Sequence, residues 1–187
     1  MLRNPTVLRL PRLGPFLPCL ALATCLVLGT WSPLGAEEKE PGAVVSTVYL
    51  VRHAEKGEND TADPPLSEAG KVRARSLVPV LRDIGVTHLH STDFQRTRQT
   101  LAPLAEATGL TVEIYDPRDL AAFAERLRKT PGVHVVAGHS NTTPELVRLL
   151  GGDPRSDIDE SEFDRLYIVM PETGWSALLH LPPWDER

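Results

Sequence analysis

Four residues of this chain are suited to holding and attacking an anion, and each stands where a short apolar run gives out. Arg52 and His53 close the run 44–51. Arg96 follows the run 86–90 and the polar turn Ser91-Thr92-Asp93. His139 follows the run 133–137 and Gly138. Arginine offers a fixed fork of N–H donors that matches phosphate oxygens. Histidine serves as a nucleophile, as a general acid or base, or as a donor to an oxyanion. Two arginines and two histidines brought to one place suit a phosphoryl group and its transfer. Singly, each is a weak signal: a lone histidine commonly packs or caps, and a lone arginine commonly lies on the surface. The inference rests on their shared position at the ends of apolar runs.

Gathering those ends is what a parallel sheet does, because the carboxyl ends of its strands share one edge, where ligands bind. The run 44–51 is β-branched and apolar, the pattern of a strand covered on both faces. A polar loop follows at 56–65. Ser67 is a good N-cap and Glu68 suits the first turn of a helix whose apolar face is Val72, Leu77, Leu81 and Ile84, ended by Gly85. Pro79 costs about 3 kcal/mol in a helix interior, so this helix is expected to kink or split near Val78. A strand at 86–90 leads to a helix at 96–108, stopped by Gly109, with a kink expected at Pro103. A strand at 112–115 turns at Asp116-Pro117. Asp119 then caps a helix running to Lys129. The strand 133–137 feeds a helix at 143–150, an acidic loop at 152–162, and two last strands at 166–170 and 176–181 about a turn at 171–174. This alternation predicts an α/β fold: a three-layer α/β/α sandwich with a mostly parallel central sheet and an antiparallel C-terminal edge. Two helix amino termini are expected to point at the anion.

Several stretches, read together, resemble the histidine phosphatase superfamily, whose fold is phosphoglycerate mutase-like. Val51-Arg52-His53-Ala54-Glu55-Lys56 is similar to its Arg-His-Gly-type motif, with alanine in place of the glycine. Ser91-Thr92-Asp93-Phe94-Gln95-Arg96-Thr97-Arg98-Gln99-Thr100 resembles its second motif, and Gly138-His139-Ser140-Asn141-Thr142 its later histidine motif. Leu66-Ser67-Glu68-Ala69-Gly70 matches the start of its first helix. The resemblance implies a compact, branch-1 type domain over 44–187 that hydrolyses phosphomonoesters, with His53 as nucleophile forming a phosphohistidine. Arg52, Arg96 and His139 would hold the phosphoryl oxygens, and Lys56 would guide the substrate. It implies no metal and no cofactor, since the arginines supply the positive charge. The proton donor to the leaving group stays open among Asp116, Asp119 and Glu55. Each has a structural reading as well: a turn residue, a helix cap and a hydrogen-bonded loop acid. Two other readings of the same motifs are a phosphate-binding domain without turnover and a phosphomutase.

Two further patterns compete with this reading. His88 and His90 share one face of a strand and could form half of a metal site, though packing is the simpler account. Gly138-His139-Ser140-Asn141-Thr142 is partly like a Gly-x-Ser-x-Gly nucleophile elbow, with His180 as the base. It lacks the last glycine, and Ser140 is expected instead to cap the following helix.

Residues 1–36 carry Arg3, Arg9 and Arg12, an apolar stretch of about 13 residues and the small residues before Glu37. That is the layout of a secretory signal peptide. The apolar stretch is shorter than the roughly 18–20 residues of a spanning helix. The expectation is a leader at 1–36, cleaved or kept as an anchor, then a linker at 37–43 and a periplasmic or secreted domain. Without the leader the net charge of −5 becomes −8, from 17 basic and 25 acidic residues, which argues against a nucleic-acid partner. Both cysteines, Cys19 and Cys25, lie in the leader, so no disulfide and no cysteine-ligated zinc is expected in the domain. The expected partner is a phosphorylated small molecule or a phosphate on a larger one, with a membrane involved only if the leader is kept. Assembly state is left open.

Overall fold

The computed structural model describes residues 45–58 and 62–181. The expected leader, anchor and linker lie outside the described residues. Among those described, no helix is long and apolar enough to cross a membrane.

Six strands form one sheet in the order β3-β2-β4-β1-β5-β6. They are β1 (Ser46–Arg52), β2 (His88–Ser91), β3 (Val112–Ile114), β4 (Gly132–Gly138), β5 (Arg165–Met170) and β6 (Trp175–His180). The first four are mutually parallel. β5 runs antiparallel to β1, and β6 antiparallel to β5. The helices are α1 (Glu68–Leu81), α2 (Gln95–Thr108), α3 (Leu120–Lys129) and α4 (Thr142–Leu149).

The two-residue period of the strands divides the core. Val48, Leu50 and Val136 pack with Phe123 and Leu127 of α3 and Leu146 and Val147 of α4. Val51, Leu89, Val135 and Ala137 pack with Leu77 and Leu81 of α1 and Leu101 and Leu104 of α2. Successive residues of a strand face opposite sides, so both faces are covered. That is why the central runs are apolar without alternation. Each fully buried leucine here contributes about 2 kcal/mol. The architecture is the expected three-layer α/β/α sandwich.

The topology places the functional ends side by side. β4 lies between β2 and β1, with Arg52 opposite Gly138 and Ser91 opposite Ala137. Three neighbouring parallel strands therefore end at one edge. The split expected near Val78 is absent, because α1 runs unbroken to Leu81 with Pro79 in its last turn. There the missing proline N–H removes one ladder bond from a helix about to end. α2 likewise continues through Pro103 to Gly109, whose φ of 70° closes it.

Candidate active site

The nucleophile candidate is fixed by backbone just past β1. The His53 N–H donates to the Gly138 carbonyl at 2.9 Å, extending the β1–β4 ladder by one residue. The Ala54 N–H donates to Thr100 Oγ1 at 2.9 Å. His53 Nδ1 lies 2.7 Å from the Ala54 carbonyl. A carbonyl only accepts, so Nδ1 carries the proton and Nε2 keeps its lone pair. Burial, joined by the charges of His139, Arg52 and Arg96, pushes the His53 pKa down to about 4, against the pull of the Ala54 hydrogen bond. At neutral pH the ring is uncharged, with the Nε2 lone pair available. Gly70 lets α1 come close to the next residue along. A Cβ there would run into the Glu55 carbonyl, which accepts from the Ser67 N–H at 2.9 Å.

The groups expected to hold the anion lie around this ring. Arg52 is buried, with NH1 donating to the carbonyls of Asp159, Glu160 and Glu162 at 2.7, 3.0 and 3.0 Å. Its NH2 meets Glu160 Oε2 at 2.9 Å, and its guanidinium carbon lies 4.3 Å from the centre of the Phe163 ring. The Arg96 guanidinium carbon lies 4.4 Å from the centre of the Phe94 ring. The Nε atoms of both arginines are buried without a hydrogen-bond partner, a costly state unless an acceptor arrives. The His139 ring stands edge-on to His53, 5.4 Å between centroids, with Nε2 2.9 Å from Thr92 Oγ1. Burial and then the charges of Arg96 and Arg52 bring its pKa down to about 4. Arg52, His53, Lys56, Arg96 and His139 all line one cleft of about 410 Å³.

None of the three carboxylates proposed as proton donors lines that cleft. Asp116 is held in its turn by Arg118, whose Nε and NH2 each donate to it at 2.9 Å. Asp119 caps α3, accepting from the Ala122 N–H at 3.2 Å. Glu55 takes the fork of Arg73 at 2.7–3.0 Å. Each follows its structural reading. The carboxylate that does line the cleft is Glu160. Its Oε1 accepts from Ser140 Oγ at 2.8 Å. The Ser140 hydroxyl and then the Arg52 charge hold its pKa below the usual carboxylate range. Nothing in the sequence singled it out beyond its place in the acidic loop, since a loop acid carries no periodic signal.

Other expectations resolve similarly. The amino terminus of α2 already has an anion, because Asp63 accepts from the Gln95 N–H at 2.9 Å and lies 3.6 Å from Arg96 NH1. Ser140 does not complete a serine triad: its hydroxyl donates to Glu160, while His180 pairs with Asp164 at 3.0 Å. His88 and His90 are joined in space by His134, with rings stacked 4.5–6.1 Å apart. Their nitrogens are turned on neighbours instead of one point. His90 Nε2 meets His134 Nδ1 at 3.1 Å, and His134 Nε2 donates to the Thr130 carbonyl at 2.9 Å.

Comparison with known proteins shows what the fold and the strand-end constellation are similar to. Residues 48–121 match the family model of the histidine phosphatase superfamily (branch 1). Over 77 residues it is 42% identical to the probable phosphoglycerate mutase GpmB of Yersinia pestis (strain Pestoides F), covering 38% of this chain and 35% of that protein. It is 39% identical over 77 residues to the protein of the same name from Enterobacter sp. (strain 638), with the same coverage. The chain thus matches about a third of the length of these curated relatives. Among solved structures it shares its fold with the protein histidine phosphatase SixA in complex with tungstate. That match has a TM-score of 0.59 and 17% identity, and covers 73% of this chain and 97% of that one. A mycobacterial glucosyl-3-phosphoglycerate phosphatase superposes with a TM-score of 0.53 at 15% identity, over 73% of this chain and 98% of that one.

Proposed function

We propose that this protein is a phosphatase that releases phosphate from phosphomonoesters through a phosphohistidine on His53. One observation carries the reading. A neutral imidazole with a free Nε2 lines one cleft with Arg52 and Arg96, whose buried Nε–H groups have no acceptor. The oxygens of a phosphoryl group would supply acceptors for those two donors, and the same donors would stabilise its charge as it transfers.

In the first step His53 Nε2 bonds to phosphorus as the ester P–O bond breaks, and the leaving oxygen takes a proton from solvent. In the second step water attacks phosphorus, the P–N bond breaks and inorganic phosphate leaves. Glu160, held as a carboxylate by Ser140 and Arg52, is suited to take the proton of that water. The leader-like residues 1–36 support an exported protein acting in the periplasm or outside the cell.

Incubating the protein with 4-nitrophenyl phosphate, beside His53→Ala, tests the reading. Turnover in the parent and its loss by at least 10³-fold in the variant is the expected result. Binding without turnover would make the domain a phosphate receptor instead. The curated relatives favour a second reading, since they are named as probable mutases. Incubation with 2- or 3-phosphoglycerate separates the two: a phosphatase releases phosphate, and a mutase moves it between carbons.

A further inference from the structure

Beside the catalytic cleft lies a second depression, of about 580 Å³, that shares Phe94, Pro117 and Arg118 with it. Its floor is apolar: Phe94, Pro117, Tyr115 and Ile114, the last residue of edge strand β3. Ile114 is 46% exposed, one of four large hydrophobic residues open to solvent among those described. A single exposed isoleucine means little. Here it prolongs an apolar surface that begins at the ring under Arg96.

The charges bordering this groove are closed upon themselves. Asp93 pairs with Arg98 at 2.7 Å and Asp116 with Arg118 at 2.9 Å. An approaching ligand therefore meets an apolar floor between two neutral pairs. A second phosphate or a carboxylate would find no unpaired cation there, whereas a hydrocarbon group would gain by covering the floor. Continuity with the cleft says which molecule is seated on it. The shared lining at Phe94, Pro117 and Arg118 gives the alcohol of an ester whose phosphoryl group lies at His53 an open path into this groove.

We infer that this groove is the leaving-group subsite, and that the preferred substrates are phosphomonoesters of apolar, aromatic or alkyl-bearing alcohols. The inference rests on the phosphatase reading. It adds what that reading leaves open, namely the part of the substrate that is not phosphate.

The test compares phenyl phosphate with 4-butylphenyl phosphate, measuring released phosphate for the parent, Ile114→Asp and Ile114→Phe. A para-alkyl chain barely alters the basicity of the leaving phenol, so a difference reports contact and not reactivity. The butyl ester is expected to show a kcat/KM at least tenfold higher in the parent and in Ile114→Phe. That advantage, taken as the ratio of the two esters' kcat/KM within each protein, disappears in Ile114→Asp. Equal kcat/KM for the two esters in the parent, or an advantage that survives Ile114→Asp, overturns the inference and leaves the phosphatase reading intact. No turnover of either ester by the parent overturns the phosphatase reading itself.

Discussion

Glu160 and the three carboxylates named from sequence differ in what holds them. Asp116, Asp119 and Glu55 sit beside strand ends, the positions a parallel sheet makes important, yet each is spent on a local partner: Arg118, the α3 backbone or Arg73. Glu160 reaches the cleft from a loop more than a hundred positions beyond His53 and bonds both Arg52 and Ser140. An ionised carboxylate accepts protons, so it fits the hydrolytic second step better than donation to a leaving group. Glu160→Gln keeps an acceptor oxygen for only one of Ser140 and Arg52 and loses the basicity. Steady-state turnover is expected to fall about 10²-fold, with acid-labile phosphate accumulating on His53 in rapid-quench samples. A slow variant that accumulates no phosphoenzyme would confine Glu160 to holding Arg52 in place.

At the scale of elements, helix caps mark the boundary between local and long-range information. Ser67 and Asp119 were legible as caps because each bonds an N–H three residues on, at Gly70 and Ala122. The start of α2 has Phe94 at the cap position, with no side-chain hydrogen bond. Its anion is Asp63, 32 positions earlier and in contact only through the fold. Asp63 thus steadies both the helix and Arg96. Asp63→Ala is expected to cost about 1 kcal/mol in urea unfolding, the usual value of a lost cap. It should also raise KM several-fold, because Arg96 loses the carboxylate that orients it. An unchanged KM alongside lost stability would limit Asp63 to capping.

Over the whole molecule, buried neutral histidines set the response to acid. His53 and His139 have pKa values brought down to about 4, and His90 to about 3. Burial is the main cause for each. His134, Arg126 and His88 add their charges against His90, while Glu113 lies 3.6 Å from its Nδ1. A histidine whose folded pKa is depressed binds its proton more readily when unfolded. Stability is therefore complete above pH 6.5 and declines as the pH falls towards the folded values. Between pH 6.5 and 5 His53 and His90 each withdraw about 2 kcal/mol, and the more exposed His139 less. The urea midpoint is expected to drop steeply from pH 7 to pH 5, and His90→Leu should flatten that slope. A midpoint constant across this range would contradict the neutral, buried state of these rings.

The sequence alone determined the alternation of strands and helices, the layered fold, and the four residues that close apolar runs, because periodicity and local caps are written in neighbouring positions. It also pointed to the histidine phosphatase superfamily through three motifs in order. Only the tertiary structure decided which carboxylate reaches the cleft, what anion caps α2, and that His134 joins His88 and His90. The physical reason is the same in each case. Strand order β2-β4-β1 and the loop that follows α4 bring together groups separated by dozens of residues, and a contact between distant positions leaves no periodic trace in the chain.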